Sequence, residues 1–184
     1  MTPTVREGGF LFDFSRALAW ERFDSMGRAI PQGMSMVDFV VEEPDRMLLI
    51  EVKDPFPRPG SDPRFNRRGK GGIWPEGEGF RIDRLIHQSL VPKVRDSYTY
   101  LHLMGKDAKP VLYVVLLGFD RIFRQNDLLV IFKDRLSSRL RREGHLPWKR
   151  PYVRDCLVLD PDCWRKWLPE YPLLRVADDR RTKG

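Results

Sequence analysis

The sequence predicts an α/β protein with a central mixed β-sheet flanked by helices on both faces. Three observations point there. Residues 111–117 form a continuous apolar run of strand length, the pattern of a strand buried on both faces. Residues 34–41 and 47–53, rich in Val, Ile, Met and Leu, flank a turn and read as a hairpin. Segments with helical spacing alternate with these strands, which favours a sheet covered on two sides.

Taken in order, Phe14, Ala17, Leu18 and Glu21 recur at spacings of three and four and predict a helix over residues 14–26, with Asp13 as cap and Gly27 as stop. The hairpin follows, and its turn is Glu43-Pro44-Asp45-Arg46, where proline suits the second position and aspartate the third. A helical stretch over 82–104 is kinked or divided by Pro92 and closed by Gly105. The strand at 111–117 leads to a helix over 128–143 with Leu129, Phe132, Leu136 and Leu140 on one face. A strand at 152–159, a short Trp-rich helix at 161–168 and an edge strand at 173–176 complete the order. Residues 1–176 read as a single domain, and 177–184 as a flexible polar tail.

With 184 residues, 41% hydrophobic and 32% charged, the chain can bury one core but not two full ones. No apolar run approaches the ~20 residues of a membrane helix, and residues 1–9 lack the order of a secretion signal. Cys156 and Cys163 make neither a disulfide scaffold nor a CxxC pair, so a reducing, cytoplasmic setting is expected. A formal charge of +7 favours a polyanionic partner. With no basic amphipathic segment and no lipidation signal, nucleic acid is favoured over a membrane surface.

Residues 55–79 form a Pro/Gly-rich segment in which Arg58, Arg64, Arg67, Arg68 and Lys70 are interleaved with Phe56, Phe65 and Trp74. The arginines can neutralise phosphates and the aromatics can stack on bases; the alternative is a disordered linker. The segment lacks the spacing of a phosphate-binding glycine loop.

If the hairpin turn centres on Pro44-Asp45, Val37 lies opposite Val52, Phe39 opposite Ile50 and Val41 opposite Leu48, an apolar face for the core. The other face pairs Met36 with Lys53, Asp38 with Glu51, Val40 with Leu49 and Glu42 with Met47. Asp38 and Glu51 become cross-strand neighbours with Cβ atoms roughly 4.5–5.5 Å apart, a repulsive pair unless a positive charge lies between them. Lys53 supplies part of that charge. A divalent cation would supply more, since oxygen ligands suit a hard metal.

Asp38, twelve intervening residues, and then Glu51-Val52-Lys53 at the end of an apolar strand resemble the PD-(D/E)xK nuclease superfamily, which includes restriction endonucleases. The resemblance spans roughly residues 14–117. It departs from the family pattern in one respect: Val37, not proline, precedes Asp38, and the literal Pro44-Asp45 lies in the turn. The resemblance implies a restriction-endonuclease-like fold and a metal-dependent nuclease that hydrolyses DNA, with a place in phage defence or a mobile element. Carried over by position, Asp38, Glu51 and the Val52 carbonyl would bind Mg²⁺ or Mn²⁺, and Lys53 would orient or deprotonate the attacking water. Glu21, on the first helix, would complete the catalytic and metal set. Lys93 would reach the phosphate being cut, with Arg95 as a further nucleic-acid contact.

Each assignment has a plainer counterpart. Asp38, Glu51 and Lys53 could form a solvated strand face with a cross-strand salt bridge. Glu21 could sit at a helix boundary, and Lys93 could be a helix-surface cation. Glu42 and Glu43 read as solubilising residues beside the turn. So short a chain is expected to act as a homodimer or with a companion protein. The rival functions are a nuclease-like nucleic-acid-binding or assembly subunit that does not cut, and an interaction module that grips an acidic partner.

Overall fold

The computed structural model describes residues 4–24, 30–31, 33–54, 82–118, 126–144 and 148–176. Its strands are β1 (Thr4–Glu7), β2 (Phe10–Asp13), β3 (Ala19–Arg22), β4 (Phe39–Glu42), β5 (Met47–Lys53), β6 (Val111–Leu117), β7 (Asp155–Leu159) and β8 (Leu173–Arg175). Helix α1 (Ile82–Leu85) runs through a π-helical segment (Ile86–Leu90) into α2 (Val91–Leu103). Helices α3 (Asn126–Gly144) and α4 (Pro161–Trp167) follow.

Five strands form a mixed sheet in the order β3-β4-β5-β6-β7. Strands β3 to β5 are antiparallel and β5 to β7 parallel. The central strands β5 and β6 are buried along nearly their whole length, which is why their sequences are unbroken apolar runs instead of alternating ones. On one face, Val40, Leu49, Tyr113 and Val115 pack with Leu85, Leu90 and Val94 of the helical stretch and with Phe132 and Leu136 of α3. On the other, Phe39, Leu48, Ile50 and Val114 pack with Phe10, Phe12 and Phe14, with Trp164 of α4 and with Leu173. Much of this second cover is a small antiparallel sheet, β1-β2-β8, and not a helix.

The segment expected as a helix over 14–26 folds differently. Phe14 is buried, but Leu18 at the next helical position is 63% exposed, and residues 19–22 are strand β3, paired with β4. Asp13 does accept a backbone hydrogen bond, from Ser15 N–H at 2.9 Å. It therefore starts an Asx turn by the same chemistry that would cap a helix. Residues 173–175 join β2, not the main sheet.

Elsewhere the elements match their local chemistry. Pro92 cannot donate to the preceding turn, and the π-helical segment lies just before it, where the ladder must be rearranged. Gly105, at φ +68°, ends α2, and Lys106 N–H closes the turn on the Leu101 carbonyl at 2.8 Å. Asp160 caps α4 by accepting from Cys163 N–H at 2.7 Å, with Pro161 in its first turn. Among the described residues, no helix is long and apolar enough to cross a membrane.

Candidate active site

The β4–β5 hairpin has the register read from the sequence: Phe39 faces Ile50, Val40 faces Leu49, Val41 faces Leu48 and Glu42 faces Met47. The ladder then stops. Asp38 N–H donates to the Ile50 carbonyl at 3.0 Å, while the Asp38 carboxylate Oδ2 accepts from Val52 N–H at 2.6 Å. A side-chain oxygen thus takes the place of a strand carbonyl. The break also moves Val37: it packs on the helical face with Met36, not beside Phe39 as a regular hairpin would have it. Its N–H donates to Ser97 Oγ of α2 at 2.9 Å.

This irregular start to β4 brings two buried carboxylates together. Asp38 is 4% exposed and Glu51 is 0% exposed. Lys53 Nζ lies 2.6 Å from Glu51 Oε1. Lys93, from the first turn of α2, places its Nζ 2.8 Å from Glu51 Oε1, 2.9 Å from Oε2 and 3.5 Å from Asp38 Oδ1. The contacts of Oε1 are ion pairs without the alignment of a good hydrogen bond.

Burial sets the electrostatics. It pushes the Asp38 carboxyl well above the usual carboxylate range, and the Glu51 charge pushes it further. Burial acts on Glu51 in the same direction, but Lys53 and Lys93 outweigh it and hold Glu51 below its ordinary value. At an effective dielectric of about 20, an opposite charge at 4 Å is worth about 4 kcal/mol, and both ammonium groups are closer than that. Lys93 shows the reciprocal effect: burial opposes its charge, and Glu51 and Asp38 raise its pKa regardless. Of the two, Glu51 is the carboxylate whose charge the lysines favour, and Asp38 the one that burial and its neighbour make more basic.

Two further carboxylates join the group. Glu7, at the end of β1, forms an ion pair with Arg22 and feels the charges of Glu51 and Lys93; burial raises its pKa. Asp24, just after β3 and more exposed, lies 4.0 Å from Arg22 Nε; desolvation raises its carboxyl, and the Lys93 charge acts against that. Neither residue stands out in the sequence. Glu7 lies in a charged strand without apolar alternation, and Asp24 falls inside the expected helix.

Glu21 does not join them. It lies on β3 opposite Val40 and lines a separate cavity of about 430 Å³ with Glu42, Lys106 and Lys109. Arg95 is turned from the cluster toward Asp96 and Glu143, at 3.3 and 3.8 Å. Arg64, Arg67, Arg68 and Lys70 lie outside the described residues. Glu43, read as solubilising, is instead buried and ion-paired with Arg46.

Asp54 ties the N-terminal hairpin to this end of the sheet by accepting from Gly9 N–H at 2.9 Å. A side chain on either flanking glycine would displace this carboxylate. A Cβ at Gly9 would come within 2.6 Å of Asp54 Oδ2, and one at Gly118 within 2.9 Å of Oδ1.

Among the described residues, no set of three or more His, Cys, Asp or Glu forms a ready metal cage. The Asp38–Glu51 pair nevertheless fits a hard divalent ion in its donor chemistry, because a single cation, the Lys93 ammonium, already reaches both carboxylates. The Val52 carbonyl lies on the same side. In an extended strand, N–H and C=O of one residue point the same way, and Val52 N–H points to Asp38. No family model matches this chain, and no curated protein or solved structure matches it either.

Proposed function

We propose that this chain is a metal-dependent nuclease of the PD-(D/E)xK, restriction-endonuclease-like type that hydrolyses phosphodiester bonds in DNA. The observation that carries this reading is the burial of Asp38 and Glu51 together at the start of β4 and within β5, with Lys53 and Lys93 on the same carboxylate. Buried like charges are costly, and a chain that keeps them without function pays in stability. The antiparallel β3–β4–β5 unit joined to parallel β6 and β7 also supports it.

Asp38, Glu51 and the Val52 carbonyl would hold Mg²⁺ or Mn²⁺. When bound, the ion supplies Lewis acidity at the phosphate and eases deprotonation of a water. Lys53, fixed by Glu51, orients the attacking water and stabilises charge developing on the phosphate. Lys93 remains charged because of its carboxylate neighbours and adds a second cation for the phosphate oxygens. Asp24 and Glu7 hold the surrounding charge balance, and Glu7 keeps Arg22 in place.

The test is cleavage of plasmid and short linear DNA with Mg²⁺ or Mn²⁺, using wild type, Asp38→Asn and Lys53→Met proteins of matched circular dichroism. Metal-dependent cutting by the wild type, abolished by EDTA and by both substitutions, supports the enzyme. A wild type that binds DNA and never cuts makes the chain a nuclease-like binding or assembly subunit. Gel filtration of the same samples, alone and with DNA, tests the expected homodimer.

A further inference from the structure

A second site lies on the other side of α2. Arg95, Tyr98 and His102, at helical spacings of three and four, share one face of that helix. With Trp148 and Tyr152 from the segment before β7, they line a cavity of about 360 Å³. It is distinct from the carboxylate cluster. Five residues of helix, about 7.5 Å of rise and well over a quarter turn, separate Tyr98 from Lys93.

We propose that this cavity holds one unpaired nucleotide of the substrate strand, its base against the aromatic rings and its phosphate on the cations; the identification of the strand as substrate rests on the nuclease reading above. The aromatic walls are organised. Tyr98 and His102 are nearly parallel, with ring centroids 6.2 Å apart and planes at 9°. Trp148 stands edge-on to Tyr152 at 5.2 Å, and the residue is 43% exposed. It offers a ring face to an incoming flat group.

Charge decides what kind of flat group. Among the described residues, Arg95, Lys149 and Arg150 contribute to the lining and no carboxylate does. Asp107 pairs with Arg150 and His102 and accepts from Tyr98, while Glu143 lies 3.8 Å from Arg95 and accepts from Tyr152, so both carboxylates are engaged by residues of the wall. Among the described residues, Lys149 has no carboxylate partner. A cationic ligand would meet like charge, and a neutral apolar one would leave the ammonium unmatched. An aromatic group bearing an anion satisfies both walls, which describes a nucleotide. The volume lies at the small end of ligand pockets, enough for one nucleotide and too small for a duplex. A base inside a helix keeps its faces stacked, so only an unpaired one can present them here.

The test measures binding in EDTA, where no cutting occurs, so it is decided separately from the enzyme reading. Fluorescence anisotropy compares a labelled 12-nucleotide single strand, the same sequence as duplex, and free dAMP as competitor. Trp148→Ala and Lys149→Ala are each expected to weaken single-strand binding about tenfold and leave duplex binding within twofold. Trp148→Phe should restore most of the loss, which a purely structural role for the indole would not predict. Equal weakening of both DNA forms overturns the proposal, as does unchanged single-strand affinity in both variants. Free dAMP that binds as tightly as the strand also overturns it, in favour of a mononucleotide site.

Discussion

Lys93 Nζ lies 2.8 Å from Glu51 Oε1, and the same ammonium reaches Asp38 Oδ1 at 3.5 Å. One side chain from the start of α2 thereby neutralises carboxylates from two elements of the sheet. A divalent ion entering between those carboxylates must compete with it. Lys93→Met is expected to tighten Mn²⁺ binding about tenfold, or ~1.4 kcal/mol, as read by calorimetry. Weaker binding would mean that Lys93 arranges the carboxylates instead of competing for them.

Asp38 carries the clearest pH signature. Its folded pKa is raised, so the stability it contributes is present below the unfolded value near 3.8 and is lost as pH rises through the folded pKa. Asp38→Asn removes that penalty and keeps an oxygen for Val52 N–H. Thermal melts should show the variant to be more stable than wild type at pH 8, with the gap closing below pH 4. A gap that persists in acid would place the effect outside ionisation.

Glu51 has the opposite sign. Its folded pKa is lowered, so its contribution is present above the unfolded value near 4.5 and is lost as pH falls through the folded one. Glu51→Gln leaves two ammonium groups facing each other without their shared anion. Because both lysines keep some solvent contact, the expected cost at pH 7.5 is about 3 kcal/mol, the low end for a broken buried pair. Urea unfolding measures it, and a loss under ~1 kcal/mol would show that solvent screens the site like a surface pair.

The contact of Asp54 with the N-terminal hairpin predicts a local clash. Gly9→Ala puts a methyl 2.6 Å from Asp54 Oδ2 and should destabilise by about 1–3 kcal/mol, the usual range for overpacking. Combining it with Asp54→Ala should cost less than the sum of the single changes, because the clash goes with the carboxylate. Strict additivity in a double-mutant cycle would show that Gly9 and Asp54 do not constrain each other.

The parts of this architecture that sequence reveals are those dictated by the period of apolar residues. Strands β5 and β6 are legible because burial on both faces leaves no polar position, and α3 because Leu129, Phe132, Leu136 and Leu140 meet one core. The turn chemistry at Pro44-Asp45 fixes the hairpin register as far as Phe39 and Ile50, whereas the expected cross-strand pairing of Asp38 with Glu51 gives way to an irregular start of β4 in which the Asp38 carboxylate takes Val52 N–H. Other features depend on tertiary contacts. Phe14, Ala17, Leu18 and Glu21 mimic a helical stripe, yet Phe14 belongs to an aromatic cluster with Phe12 and Phe39. Strand β1 has no apolar alternation and is held by β2 and Asp54, which is why Glu7 escapes a reading based on local pattern.

The π-helical segment Ile86–Leu90 also limits how the chain can change in length. Removing one residue there to restore an ordinary α-helix would swing α1 about its axis by about 100° relative to Lys93. Ile82 and Leu85, now packed in the core, would then point away from the sheet. Single-residue deletions that a surface loop absorbs are costly at this point, and the spacing between Leu85 and Lys93 is as much a part of the site as its charged groups.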